Sequence, residues 1–276
     1  MSTLSKTNSL VDAAWVAAHL HDPDVRLVAV DVSRSAYDAG HLEGAILWDV
    51  YQDLLRPSFN IIEAPALEQL LSRSGIAPEC TVVFHGYAGA LGFWLLSLYR
   101  HQEVRLLDGS RKRWEASGLA MTGTVPSFPP STYRLQAPDS TIRAVRATVE
   151  AAIGDPNSLL LDVRTELEYR GERFWPSLPP QGHERAGHVP GAVLVPIDMM
   201  CREDGSFKVP AELRALYASY GVTENTDIIT YCTVGGRASQ AWFVLTHILG
   251  YPKVRVYDAS WAEWGTLPDT PITRLR

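Results

Sequence analysis

Residues 228–239 read Ile228-Ile-Thr-Tyr-Cys232-Thr-Val-Gly-Gly-Arg237-Ala-Ser239, and here residue types and spacing could do chemistry. An apolar β-branched run leads to a cysteine, then a glycine-containing loop, then a helical stretch. The first turn of a helix leaves backbone N–H groups without intrahelical partners, and its dipole favours negative charge. Gly235 and Gly236 permit the unusual backbone angles that aim further N–H groups inward. A thiol at the centre should be held largely as thiolate near neutral pH, which makes it a nucleophile. The candidate catalytic residue is therefore Cys232. Arg237 and the N–H groups of Thr233, Val234, Gly235, Gly236 and Ala238 are candidates to hold a bound anion. The competing reading of Cys232 is a small buried hydrophobe. The other two cysteines, Cys80 and Cys201, are far apart, and no pair forms a C-x-x-C motif, which argues against a disulfide framework or a zinc site.

The elements that must position this loop occur twice. Leu27 opens LVAVDVSRSAYDAGHLEGAILWDV, and Leu159 opens LLLDVRTELEYRG, followed by AGHVPGAVLVPIDM. Each runs apolar strand, Asp-Val, Tyr, then Gly-His-x-x-Gly-Ala and a second strand. Further on, TVVFHGY matches DIITYCT, and VRLLDGSRKRW matches VRVYDASWAEW. A period well over 100 residues reads as duplication of a whole domain rather than a solenoid repeat. The Pro- and Ser-rich stretch 125–140 reads as a linker between domains at 9–124 and 141–276. Strand-like runs at Leu159–Leu161, Ile228–Tyr231 and Val254–Tyr257 alternate with helical stretches at Ala211–Tyr220 and Ala238–Leu249. That alternation predicts an α/β fold with a parallel sheet covered on both faces, its sites outside the carboxyl ends of the strands. The strand ending at Tyr231 delivers Cys232 to that edge.

The whole chain resembles a two-domain rhodanese, a sulfurtransferase. The resemblance is carried by Asp162 with Gly187-His188-Val-Pro-Gly191-Ala192, by the Tyr231-Cys232 loop, and by Tyr257-Asp-Ala-Ser-Trp261-Ala-Glu-Trp264-Gly265. The family has Gly where Ala259 stands, with a small local effect expected. The resemblance implies two similar rhodanese-like domains, each a parallel five-stranded sheet flanked by helices, with only the second reactive. The matching first-domain stretch, Phe84-His-Gly-Tyr-Ala-Gly-Ala-Leu91, has no cysteine, and Cys80 precedes its strand. The resemblance also implies a mechanism. The Cys232 thiolate takes the outer sulfur of thiosulfate, sulfite leaves, and cyanide or a thiol then removes the sulfur from the persulfide. No metal or organic cofactor is implied.

Three other readings compete. Cysteine phosphatases need C-x5-R, whereas Cys232 to Arg237 is C-x4-R, one residue shorter, and no aspartic general acid is evident. A persulfide carrier or binding module is compatible with one silent domain. The donor could be 3-mercaptopyruvate: thiosulfate-preferring relatives have loops of the Cys-Arg-Lys-Gly type, mercaptopyruvate-preferring ones Cys-Gly-Ser-Gly-Val-Thr, and Cys-Thr-Val-Gly-Gly-Arg is neither. Arg237 favours the thiosulfate dianion. The second domain also carries an insertion, Arg170 to Arg185. The resemblance implies a substrate-binding arginine near here, and Arg185 is the candidate for the sulfonate end of the donor, since a guanidinium can grip an oxyanion with two hydrogen bonds. The alternative is a surface arginine or an ion pair with Glu184 or Asp162. Arg170, Arg173 and Trp175 are weaker candidates. His41 and His188 recur in both domains and read as structural, as do Asp31 and Asp162, though Asp162 could orient a cleft arginine. Trp261 and Trp264 read as core, and Ser239 as a stabiliser of the helix start.

Of the 276 residues, 46% are hydrophobic and the net charge is −6, enough for a sizeable core and no general nucleic-acid binder. No stretch approaches the roughly 18 apolar residues of a membrane span, and the N-terminus lacks the apolar core of a signal peptide. A soluble, cytoplasmic monomer is the expectation, internal duplication already supplying a pseudo-two-fold pair.

Overall fold

The computed structural model describes residues 9–176 and 185–275. The chain divides into two compact units. The first takes in the described chain up to Asp139 apart from Pro57–Asn60, together with Glu203–Phe207; the second takes in the rest. Among the described residues no helix is long and apolar enough to cross a membrane.

The first unit has strands β1 (Leu10–Val11), β2 (Val25–Asp31), β3 (His41–Leu42), β4 (Ala45–Asp49), β5 (Thr81–His85), β6 (Val104–Leu107) and β7 (Met121–Thr122). Five of them form a parallel sheet in the order β1-β6-β5-β2-β4, and β3 pairs antiparallel with β7. The second unit has β8 (Arg143–Ala144), β9 (Ser158–Asp162), β10 (Val193–Leu194), β11 (Asp227–Tyr231) and β12 (Val254–Tyr257). They form a parallel sheet in the order β10-β9-β11-β12-β8, the first order read from its other edge. The central strands are continuous apolar runs because helices cover both faces of such sheets. Val28, Val30, Val82, Val83 and Phe84 in one unit, and Leu161, Ile228, Ile229 and Val256 in the other, are buried.

Register refines the repeat. Val82 pairs with Arg26 and Val104, whereas Ile228 pairs with Leu159 and Val254. Arg26 and Leu159 are therefore equivalent, which sets Asp162, the last residue of β9, opposite the place of Ala29. The two Asp-Val signposts, matched along the sequence, sit two residues out of step in the sheets. Asp162 and Arg164 belong to the second unit alone.

The same register makes Gly86 the counterpart of Cys232. Gly86 has φ +93°, and a Cβ there would lie 2.8 Å from the Val30 carbonyl oxygen. Its loop is also shorter: residues 86–88 precede the helix Gly89–Leu98, whereas 232–235 precede the helix Gly236–Phe243. The first unit lacks the cysteine, and its backbone has closed over the space a side chain would occupy. Residues of the stretch read as a linker pack on this unit. Ser131 bonds Ser72 and Ile76, the Tyr133 hydroxyl meets His101 Nδ1 at 2.5 Å, and Leu135 donates to Glu68.

Candidate active site

Cys232 follows the last residue of β11 and is 1% exposed. Gly235 caps the helix Gly236–Phe243 with φ +88° and ψ −25°, a left-handed conformation. That turn bends the backbone back so that the Gly235 N–H donates to Cys232 Sγ at 3.2 Å. Thr233, Val234, Gly236 and Ala238, the other candidates to hold a bound anion, make no hydrogen bond to Sγ among the described residues. The Ser239 hydroxyl donates to the Gly235 carbonyl at 2.9 Å and steadies the helix start, as the sequence suggests.

The segment after β12 anchors the loop from its other side. The Cys232 N–H donates to Ser260 Oγ at 3.0 Å, and Ser260 in turn donates to the Tyr257 carbonyl at 2.7 Å. Trp261 and Ala262 N–H groups donate to the Cys232 and Thr233 carbonyls at 3.0 and 2.9 Å. Here the two units differ. In the first unit Gly109 takes the left-handed conformation, at φ +92°, but Ala259 has φ −67° and Ser260 takes φ +53°. A left-handed non-glycine residue costs about 1–2 kcal/mol. The strain falls on the residue whose hydroxyl positions the Cys232 backbone.

Arg237 is not a bare loop cation. Its guanidinium grips Glu168 with two bonds of 2.9 Å, from Nη1 to Oε2 and from Nη2 to Oε1. Thr233 donates its hydroxyl to Glu168 Oε1 at 2.7 Å, and Arg237 Nη2 donates to Thr233 Oγ1 at 2.5 Å. Glu168 also accepts from the Thr165 N–H and hydroxyl at 3.0 and 2.8 Å. Burial works against this carboxylate, but the Arg237 bonds and charge, then Thr233 and Thr165, outweigh it and hold its pKa at about 2. Sequence reading missed Glu168. Thr165-x-x-Glu168 has the form of a helix capping box, which marks its place at a helix start but not its partner on a loop 69 residues away.

Arg185 also has a different setting from the one expected. Nη1 donates to the Thr270 carbonyl at 3.0 Å, and Nη2 donates to the Leu267 carbonyl and to Thr270 Oγ1. Three of its N–H donors hold the C-terminal segment, while the buried Nε has no hydrogen-bond partner among the described residues. Glu184, offered as its ion-pair partner, lies outside the described residues, as does 177–184 of the insertion. Arg170 pairs with Glu166 and Glu172, Arg173 donates to the Pro176 carbonyl, and Trp175 packs edge-on to Phe174.

Asp162 holds Arg164, which is wholly buried and not the cleft arginine expected. Arg164 donates Nε and Nη2 to the carboxylate, Nη2 to the Gly187 carbonyl at 2.7 Å, and lies 4.4 Å over the Trp261 ring. His41 and His188 occupy matching structural sites. Each is stacked on a tyrosine, Tyr37 or Tyr169, whose carbonyl meets its Nδ1. Trp261 and Trp264 are fully buried. Cys80 is buried and Cys201 half-buried, and neither is in a disulfide. Among the described residues no group of three or more His, Cys, Asp or Glu is arranged to hold a metal ion.

Gly235→Ala tests the loop. An added Cβ would stand 2.8 Å from the Asp258 carbonyl oxygen, on a backbone that disfavours any side chain. The cysteine–glycine hydrogen bond should be lost, and reaction of Cys232 with iodoacetamide near neutral pH should slow roughly tenfold, the worth of about 1.4 kcal/mol. An alkylation rate equal to that of the unsubstituted protein would show that Gly235 does not tune the sulfur.

A model of the rhodanese-like domain matches residues 12–117 and 145–267. The chain belongs to the rhodanese family. This rhodanese is 41% identical over 274 residues to a Thermus thermophilus protein named sulfur carrier protein TtuD, covering 96% of each chain. It is 42% identical over 275 residues to a Mycobacterium bovis protein named "Putative thiosulfate sulfurtransferase 1", covering 98% of this chain and 99% of that one. A solved structure of the anaerobic ergothioneine biosynthesis enzyme from Chlorobium limicola, in complex with trimethyl histidine, aligns with TM-score 0.86 and 23% identity over 99% of this chain and 72% of that chain. At that identity the likeness speaks to the fold alone. Two family matches, one per half, agree with the two sheets of equivalent order.

Proposed function

We propose that this rhodanese moves a sulfane sulfur from thiosulfate to a thiophilic acceptor, cyanide or a thiol, through a persulfide on Cys232. The Cys232 thiolate attacks the outer sulfur of thiosulfate. A new S–S bond forms, the old one breaks, and sulfite leaves with the electron pair. The acceptor then attacks the terminal sulfur of the persulfide, and Cys232 departs as thiolate. Neither step needs an oxidant or a reductant. The observation that carries the reading is the Gly235 N–H aimed at Cys232 Sγ from the N-terminus of a helix. Such a donor stabilises negative charge on sulfur in the thiolate, the persulfide and the transition states between them.

The choice of thiosulfate draws on the relative named for that activity, since the charge of Arg237 is balanced by Glu168. For the same reason 3-mercaptopyruvate stays the alternative donor. A second reading, a carrier that keeps its persulfide for a protein acceptor, is favoured by the 41% identical relative named a sulfur carrier.

Incubation with each donor, followed by mass spectrometry, tests the persulfide: a gain of about 32 Da, one sulfur atom, is expected. Steady-state assays with cyanide should give the higher kcat/KM with thiosulfate. A strong mercaptopyruvate preference would overturn the donor assignment, and no adduct with either would overturn the persulfide. A stable adduct that cyanide and small thiols fail to discharge would select the carrier reading.

A further inference from the structure

We infer that Glu168 is a specificity-determining residue for the sulfur donor, because it cancels the charge of Arg237 on the loop that carries Cys232. The inference rests on the persulfide reading of Cys232 and adds which donors that site accepts.

Glu168 is fully buried, and the Arg237 side chain is 11% exposed. Their contact is bidentate and nearly dry, so the charges offset each other where an approaching anion would otherwise meet a cation. Thr233, next to Cys232, completes the arrangement by donating to the same carboxylate. The loop is therefore left to hold sulfur by its backbone dipoles.

The duplicated fold shows that the pair is not needed to build such a domain. The helix Arg34–Asp38, capped by Ser33, is the counterpart of Glu166–Arg170, capped by Thr165. Three residues after each cap stand Ala36 and Glu168. One residue into the helices that follow the loops stand Ala90 and Arg237. The silent unit has alanine at both positions and still forms the same sheet and helices. The ion pair accompanies the reactive cysteine.

Charge cancellation has a definite consequence. Thiosulfate is a dianion and 3-mercaptopyruvate a monoanion, so a net positive loop would favour thiosulfate, whereas a balanced one removes that advantage. A group that only braced the loop would affect both donors alike.

The experiment compares kcat/KM for thiosulfate with that for 3-mercaptopyruvate, together with the rate at which each donor loads Cys232 by mass spectrometry. Glu168→Gln keeps a hydrogen-bonding side chain but leaves Arg237 uncancelled. It should raise the thiosulfate-to-mercaptopyruvate ratio roughly fivefold to tenfold, the effect of one extra charge several ångströms away in a partly aqueous setting. Should Glu168→Gln fail to fold, Glu168→Gln with Arg237→Lys carries the same net charge on a side chain able to reach solvent, and should raise the ratio likewise. Glu168→Gln with Arg237→Gln removes both charges and should return the ratio to within about twofold of the unsubstituted protein. Ratios that follow the net charge of the pair support the inference. A ratio that stays put while both donors slow together overturns it and makes Glu168 a brace. If the unsubstituted protein forms no adduct with either donor, the persulfide reading itself fails. An adduct with an unmoved ratio defeats only the role of Glu168.

Discussion

Replacing Cys232 with serine should abolish sulfur loading and lower turnover by roughly a thousandfold or more, the usual scale for loss of a covalent nucleophile. A serine hydroxyl is not ionised near neutral pH, and nothing in this loop can take its proton as a histidine base would. The His188 Nδ1 is committed to the Tyr169 carbonyl. Folding should be untouched. Serine is slightly smaller, and its oxygen can accept the same Gly235 N–H that now points at sulfur. The other thiols are poor substitutes. Cys80 lies in the first unit with its sulfur accepting from the Ala77 N–H at 3.3 Å, and Cys201 accepts from the Gln240 amide at 3.4 Å. Neither follows a strand into a glycine-capped helix. Mass spectrometry and steady-state kinetics on Cys232→Ser check this, and turnover within tenfold of the unsubstituted protein would move the chemistry to another thiol.

The second large effect falls on stability. Asp162→Ala should cost about 3–5 kcal/mol, because it strands a guanidinium in the core of the second unit. Arg164 has no exposed side-chain surface, and the Asp162 carboxylate receives its backbone N–H, its Nε and its Nη2. What remains after the substitution is one bond to the Gly187 carbonyl and the face of Trp261. Those do not replace a counter-charge in a dry interior. Urea unfolding should show the loss as a lower midpoint. Asp162→Ala with Arg164→Met removes both charges and keeps much of the volume, and should recover most of the stability. A single-variant loss below about 1 kcal/mol would mean that Arg164 reaches water by local rearrangement. Because Trp261 donates to the Cys232 carbonyl, the variant should also slow loading of sulfur.

The site was legible where its cause is local. The sequence offers Gly235 and Gly236 for unusual backbone angles; Gly235 has φ +88°, whereas Gly236 is not left-handed and opens the helix. Ser239 was read as holding the helix start, and it bonds the Gly235 carbonyl. The strands were legible because parallel strands buried on both faces must be continuous apolar runs, and β11 and β12 have the expected form. Matching Asp31 to Asp162 by letter was less secure. A strand's register depends on its neighbours, and the sheets place Ala29, not Asp31, at the position of Asp162. The left-handed conformation stands on Ser260 in the second unit and on Gly109 in the first, since a turn can take its strained angle at either of two adjacent residues.

Arg237 and Arg185 show the limit most clearly. The charge of Arg237 and, for Arg185, the family resemblance offer both as groups for an anion. A long flexible cation takes whichever acceptors the fold brings within reach, and those were Glu168 for one and the Leu267 and Thr270 oxygens for the other. By itself the sequence determined the duplication and the strand–loop–helix that presents Cys232, because each follows from the order of neighbours along the chain. Only the tertiary structure decided that the loop's arginine is neutralised and that Ser260 holds the Cys232 backbone. Those contacts join residues 69 and 28 positions apart, and packing, not sequence proximity, sets their distances.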